Sequence, residues 1–367
     1  MSHPLYSRHE RSLSVLYSDI ESHARQAHTV FLGTAGSVIQ RRNAGGTMFY
    51  SHQYYDGEGK KRERYLAAPV GAAEADAQAA ALREKIAEIK ALVPSLRLLG
   101  REGYHLADPK TYATLASLHN HGVFSAGGTL IGSHAYGALL NHLGVHAAAY
   151  RTEDIDIARS EPLAFDSAPD ASFLEMLRGS GVDFVEAPRI NVREPSTSYK
   201  QAGRSRFHVD LLVPSTSAAR DFGVVRVPEL KAHATGLPFL RYLIAETQIV
   251  TLIAREGCCS IRVPVPQRMA LHKLLIARLR STGSSKSGKD LDQGCVLLAV
   301  VGDSDEQAIV EAAAQLPVSA RRHVLALAPA VRERLSGHHA RALEAFNEAV
   351  SAWKPTPVKR ARSRRAG

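Results

Sequence analysis

Thr152-Glu153-Asp154-Ile155-Asp156-Ile157 alternates acids with isoleucines, and this stretch decides how the chain is read. A period of two is strand patterning, because successive side chains of a β-strand point to opposite faces. Ile155 and Ile157 then turn into a core, while Asp154 and Asp156 stand side by side on the other face and Glu153 points away from them. Two neighbouring carboxylates repel, and taking them partly out of water requires a counter-charge. A divalent cation is the natural one. Hard oxygen donors suit Mg2+, which keeps some of its waters and takes further ligands from substrate phosphates. Phe207-His208-Val209-Asp210-Leu211-Leu212 is a second strand of the same type, with Val209 and Leu211 opposite Asp210. If the two strands are neighbours, three carboxylates converge.

Upstream lies Gly127-Gly128-Thr129-Leu130-Ile131-Gly132-Ser133-His134-Ala135-Tyr136-Gly137. Phe124-Ser125-Ala126 before it reads as a strand. The spacing of Ala135, Leu139, Leu140 and Leu143 after it predicts a helix. Gly132 lets backbone approach a phosphate and Ser133 offers a hydroxyl, so both are candidate nucleotide-binding residues. The free N–H groups and positive dipole end of a helix starting there attract an anion. A triphosphate held at this helix start would present its α-phosphorus to the metals, two of which would activate the acceptor hydroxyl and stabilise the leaving pyrophosphate. Gly-Ser alone, Asp-x-Asp alone and a lone strand aspartate are each weak signals; in this order they reinforce one another.

Gly-Ser at a helix start, then Asp-x-Asp, then one aspartate in a strand is similar to the pattern of the polymerase-β-like nucleotidyltransferase superfamily. More closely, the chain resembles a bacterial nucleotidyltransferase-fold family of uncharacterised activity. The resembling features are Gly127 to Thr129, Thr152 to Asp156, Val209 to Leu212, His272 to Leu274 and Lys289 to Gln293, with a small Tyr/Arg-rich sheet near Gly46. The resemblance extends from about Val38 to Val301. It implies an α+β fold whose core is a mixed sheet flanked by helices. It implies Asp154 and Asp156 as ligands of two Mg2+ ions, with Mn2+ as the alternative. Asp210 would be the third metal-site carboxylate and would assist removal of the acceptor's proton. An NTP would be the donor. The interval from Ser133 to Asp154 is longer than the compact superfamily spacing, which calls for an extended helix or loop.

Other residues carry two readings each. Lys273, on an apolar helix with Leu271, Leu274 and Leu275, is a candidate for reaching the triphosphate, or part of a solvated face. Lys289 and Asp290 do likewise or pair with each other. Lys200, Arg204 and Arg206 form a phosphate clamp or a plain polar loop. His208 lines the site or packs in its strand. Tyr136 stacks on a base or sits in the core.

The 367 residues organise around this centre. Residues 1–71 read as an N-terminal helix and a β-meander turning at Asn43 to Gly46 and Asp56 to Gly59. Residues 72–121 form a helical connector, with a long helix to about Leu92. The catalytic core spans 122–265. Residues 266–353 form a helical domain, with a break expected near Pro329. Residues 354–367 are a basic tail holding six of the cations and no acid; without them the net charge of +10 falls to +4. The tail is a solubilising end or a contact for nucleic acid. The Tyr/Arg-rich meander is likewise either a nucleic-acid platform or a sheet docked by its aromatic face.

Three cysteines, two of them adjacent, make neither a disulfide framework nor a metal spacing. No apolar run reaches membrane-spanning length and no signal peptide is visible, so a cytoplasmic protein is expected. The reading is therefore a metal-dependent nucleotidyltransferase whose acceptor is RNA, a protein hydroxyl or a small molecule. Its rivals are a catalytically inactive binding, toxin–antitoxin or regulatory protein on the same fold, and a nucleic-acid-binding module.

Overall fold

The computed structural model describes residues 3–148, 152–189, 191, 193–217, 221–280 and 285–353, so the basic tail at 354–367 and residues 281–284 of the Ser/Gly/Lys loop lie outside the described residues. The protein is α+β and divides into two units, residues 6–265 and residues 266–367 with 1–5.

The first unit opens with β1 (Ser7–Arg8) and the amphipathic α1 (Arg11–Gln26), which buries Tyr17, Ile20 and Ala24. Next come β2 (Ser37–Arg42), β3 (Met48–Tyr55) and β4 (Lys61–Pro69), an antiparallel meander joined at the expected turns. α2 (Ala73–Arg101) runs on through Pro94, well past the Leu92 expected. Its Ala75 and Ala79 pack on Tyr50 of β3, and Ile86 and Ile89 pack with Phe31 and Val38. The meander is thus docked on α2 by one of its faces.

α3 (Pro109–Asn120) starts with an Asp108 cap and buries most of its length. Phe124 to Ala126 is a turn and not a strand: Gly128 N–H donates to the Val123 carbonyl. The strand β5 (Thr129–Ile131) comes three residues later and runs directly into α4 (Gly132–His142). β6 (Val145–His146) pairs with β1. Then follow β7 (Asp154–Ala158), α5 (Phe173–Arg178), β8 (Phe184–Glu186), β9 (Ser198–Gln201) and β10 (His208–Pro214). β11 (Val224–Val227), β12 (Ala232–Leu237), α6 (Leu240–Leu243) and the hairpin β13 (Thr247–Ala254) and β14 (Gly257–Pro264) complete the unit.

The main sheet has the order β11-β12-β10-β7-β5. β10 is parallel to β7 on one side; on its other side its first half pairs with β9 and its second half with β12. β5 runs antiparallel to β7. The sheet is mixed, with Ile155, Ile157, Val209 and Leu211 at no more than 1% exposure beneath it.

The second unit is helical: α7 (Pro266–Leu279), α8 (Ser285–Ser304), α9 (Glu306–Ala314), α10 (Val318–Leu335) and α11 (Ala340–Ala352). Pro329 does not break the chain. α10 passes through it, and the break falls at Gly337, whose φ of 92° suits the left-handed region that glycine tolerates. Buried Ala328, Val331 and Leu335 hold the helix together around the proline. No described helix is long and apolar enough to cross a membrane.

Candidate active site

The parallel register of β7 and β10 sets Asp154 opposite His208 and Asp156 opposite Asp210. Residues two apart share a face, so the four side chains form a square on the sheet surface opposite the buried isoleucines. Asp154 and Asp210 are partly open to solvent, at 29% and 27% side-chain exposure.

His208 stands among the carboxylates, with Nε2 3.6 Å from Asp210 Oδ2 and Nδ1 3.7 Å from Asp154 Oδ1. The neighbouring Asp210 carboxylate pushes its pKa up to about 9, against the desolvation that would lower it; Nδ1 donating to the Arg206 carbonyl at 2.8 Å and the charge of Asp154 add to the rise. His208 therefore lines the site.

β9 carries Lys200, which the sequence places in a clamp or polar loop with Arg204 and Arg206; it is a strand. Its antiparallel register puts Ser198 opposite Asp210 and Lys200 opposite His208, on the carboxylate face. Ser198 Oγ donates to Asp210 Oδ1. Tyr199 and Gln201 turn the other way and are buried, and Phe173 packs edge-on against Tyr199 at 5.3 Å between ring centres. The alternation Ser198-Tyr199-Lys200-Gln201 was the available signal.

The glycine segment arrives from the other side. Ile131, the residue before α4, pairs with Asp156 across β5 and β7. Gly132 follows at φ 73°, and a methyl group at its Cα would run into the Asp156 carboxylate. The residue before α4, Ile131, makes no side-chain cap hydrogen bond, and the positive dipole end of the helix faces Asp156. Ser133 sits half-buried in that first turn. The structure thus brings together Gly132, Ser133, Asp154, Asp156 and Asp210.

Tyr136 belongs to the core at 1% exposure, which rules out base stacking. Arg204 and Arg206 are exposed beside the turn at Gly203. Lys273 is on α7 of the helical unit, where its Nζ donates to Asp290 Oδ1 at 2.8 Å; Arg280 Nε lies 3.2 Å from Asp290 Oδ2. Asp290 therefore pairs with Lys273 and Arg280.

Among the described residues no group of three or more His, Cys, Asp and Glu side chains is gathered around one point as a formed metal site. The donor chemistry suits a hard divalent cation, since three carboxylates share one face of neighbouring strands. Asp154, Asp156 and Asp210 are the residues that would hold it.

The sequence model of a protein family described as nucleotidyltransferase matches residues 110–317, more than half of the chain. No curated protein and no solved structure matches the chain.

Proposed function

The chain belongs to this nucleotidyltransferase family, and from that premise we propose that it transfers an NMP from an NTP to a hydroxyl of an acceptor, with release of pyrophosphate. The observation that carries the reading is the β7–β10 register, which sets Asp156 opposite Asp210, with Asp156 beside the start of α4. The acceptor oxygen attacks the α-phosphorus, the new P–O bond forms, and the bond to the pyrophosphate oxygen breaks on the opposite side. Asp154 and Asp156 are proposed to hold the catalytic Mg2+ or Mn2+. Such ions, when bound, sharpen the acceptor hydroxyl as a nucleophile and neutralise charge on the leaving pyrophosphate.

The remaining work falls to the chain's own groups. The start of α4 is proposed to receive phosphate oxygens, with Gly132 letting the backbone come close enough to do so. Ser133 adds a hydroxyl donor there. Asp210, held at Oδ1 by Ser198 and with His208 Nε2 3.6 Å from its Oδ2, is proposed to assist removal of the acceptor's proton. Lys200 projects from the same face and would meet the triphosphate.

The test is incubation with each of the four α-labelled NTPs, Mg2+ and cell extract. Label should pass to a product with the wild-type chain and not with Asp154→Asn. Absence of labelled product in every arm, or labelling that survives the substitution, would overturn the reading. A separate binding measurement by calorimetry should give much weaker NTP binding in EDTA than in Mg2+, because three carboxylates repel a bare triphosphate.

A further inference from the structure

The turn between β3 and β4 reaches the catalytic sheet. Asp56 builds that turn: its Oδ1 accepts the backbone N–H groups of Glu58 and Lys60, each at 2.9 Å, and its Oδ2 accepts from Arg62 Nε at 2.6 Å. Asp56 is buried. Gly57 lies flush on α3, where a methyl group at its Cα would come within 2.8 Å of Ala113 Cβ and 2.9 Å of the Pro109 carbonyl oxygen. Glu58 is thereby aimed at β9. Its Oε1 accepts from Gln201 Nε2, across 143 positions of sequence. Lys110 Nζ, from α3, donates to Gln201 Oε1 at 2.9 Å and lies 4.0 Å from Glu58 Oε1. Lys60 Nζ holds the other carboxylate oxygen of Glu58 at 2.7 Å.

Gln201 is the last residue of β9, and its amide is engaged at both ends. By alternation, Gln201 and Tyr199 hold the strand from beneath while Ser198 and Lys200 stand on the carboxylate face. β9 is only four residues long and lies off the main run of the sheet, paired with the three-residue β8 and the first half of β10. A strand that short has few ladder hydrogen bonds to fix its place. A buried, doubly bonded amide at its end supplies what the ladder lacks. Docking of the meander does not require this contact: Val38, Tyr50 and Leu66 already pack it on α2, and Gly57 already seats the turn. The bond from Gln201 to Glu58 serves β9.

We propose that Glu58, acting through Gln201, is a positioning residue for the active site: it fixes β9, and so holds Ser198 against Asp210 and keeps Lys200 on the carboxylate face. For its effect on rate the proposal rests on the transferase reading. A misplacement of about 1 Å, caused far from the chemistry, can cost on the order of 10²-fold in rate. The N-terminal meander is thereby a working part of the transferase site and not only a module attached to it.

The experiment uses the full chain and measures label transfer and amide hydrogen exchange of residues 196–207 side by side. Glu58→Ala should lower kcat about tenfold or more. Glu58→Gln, whose amide oxygen still accepts from Gln201, should restore most of it. Gln201→Ala breaks the same contact from its other side and should lose as much as Glu58→Ala. In a Ser198→Ala background Glu58→Ala should have little further effect, since both act through the contact with Asp210. The amides of 196–207 should exchange faster in Glu58→Ala than in wild type, and at the wild-type rate in Glu58→Gln. Glu63→Gln removes another carboxylate of the meander, one paired with Arg41, and should change neither readout. Wild-type kcat in Glu58→Ala, a fully additive loss with Ser198→Ala, or unchanged exchange would overturn the proposal. A wild-type chain that transfers no label would overturn the transferase reading instead, and the exchange comparison would then decide alone whether Glu58 orders β9.

Discussion

At the scale of single residues, Gly132 is the most exposed to test. Its φ of 73° costs an L-residue about 1–2 kcal/mol, and a methyl group there would also displace the Asp156 carboxylate. Gly132→Ala is expected to fold, with a melting temperature lowered by a few degrees and transfer reduced far more than that loss explains. Asp154→Asn and Asp156→Asn should each abolish transfer while circular dichroism stays native, because Asn keeps the shape and removes the charge. Glu153→Gln is the control: Glu153 is exposed at the entry to β7, and alternation turns it from the site. Loss of transfer in Glu153→Gln with full transfer in Asp154→Asn would put the proposed register out by one residue. Ser198→Ala should lower kcat with little change in KM for the nucleotide, since Ser198 acts through Asp210; Ser198→Thr, which keeps the hydroxyl, should restore most of it. The aspartates were legible because their isoleucine, valine and leucine neighbours announce a strand buried on one face. Ser198 was not, because nothing in its own neighbours says which carboxylate it will meet.

At the scale of elements, the strands with strict alternation were legible and those serving two masters were not. β7 and β10 have one apolar face and one acidic face, the pattern a half-buried strand must have. β9 buries Tyr199 and Gln201 but spends Ser198 and Lys200 on the site, so its composition reads as a polar loop. Prolines misled in the other direction. Pro94 and Pro329 each remove one helical hydrogen bond, yet buried neighbours such as Leu96 and Val331 keep α2 and α10 continuous. The α7–α8 pair carries a sharper consequence. Lys273 and Asp290 are nearly closed to solvent, at 10% and 4% side-chain exposure. Asp290→Ala strands a buried ammonium and should cost about 3–5 kcal/mol in urea unfolding. Lys273→Met should cost clearly less, since Arg280 still neutralises Asp290 and methionine fills the same space. Equal losses from the two substitutions would mean that Arg280 contributes nothing to the pair.

At the scale of the whole molecule, stability should fall steeply in mild acid. Each unit contains a histidine held neutral. In the first, burial and then the neighbouring imidazoles of His146 and His9 lower the pKa of His105 to about 4. In the second, burial and then the charge of Lys273 lower that of His272 to about 3. Both rings have an ordinary value of 6.5 once the chain unfolds. Above 6.5 neither state binds the proton and the histidines have no effect on the balance. Below it the unfolded chain takes up protons that the folded chain refuses, so unfolding gains with every step down in pH. The loss continues until the folded-state values are reached near pH 4 and pH 3. Its limit is about 1.4 kcal/mol per pH unit per histidine, trimmed because both rings keep part of their surface in contact with water. Urea denaturation at pH 7, 6, 5 and 4 should therefore give a falling midpoint that begins near pH 6, above the range in which carboxylates titrate. His272→Gln should flatten the curve between pH 6 and pH 4 while costing something at pH 7 through imperfect packing. A variant whose stability falls as steeply as wild type over that interval would show that His272 takes up its proton without unfolding.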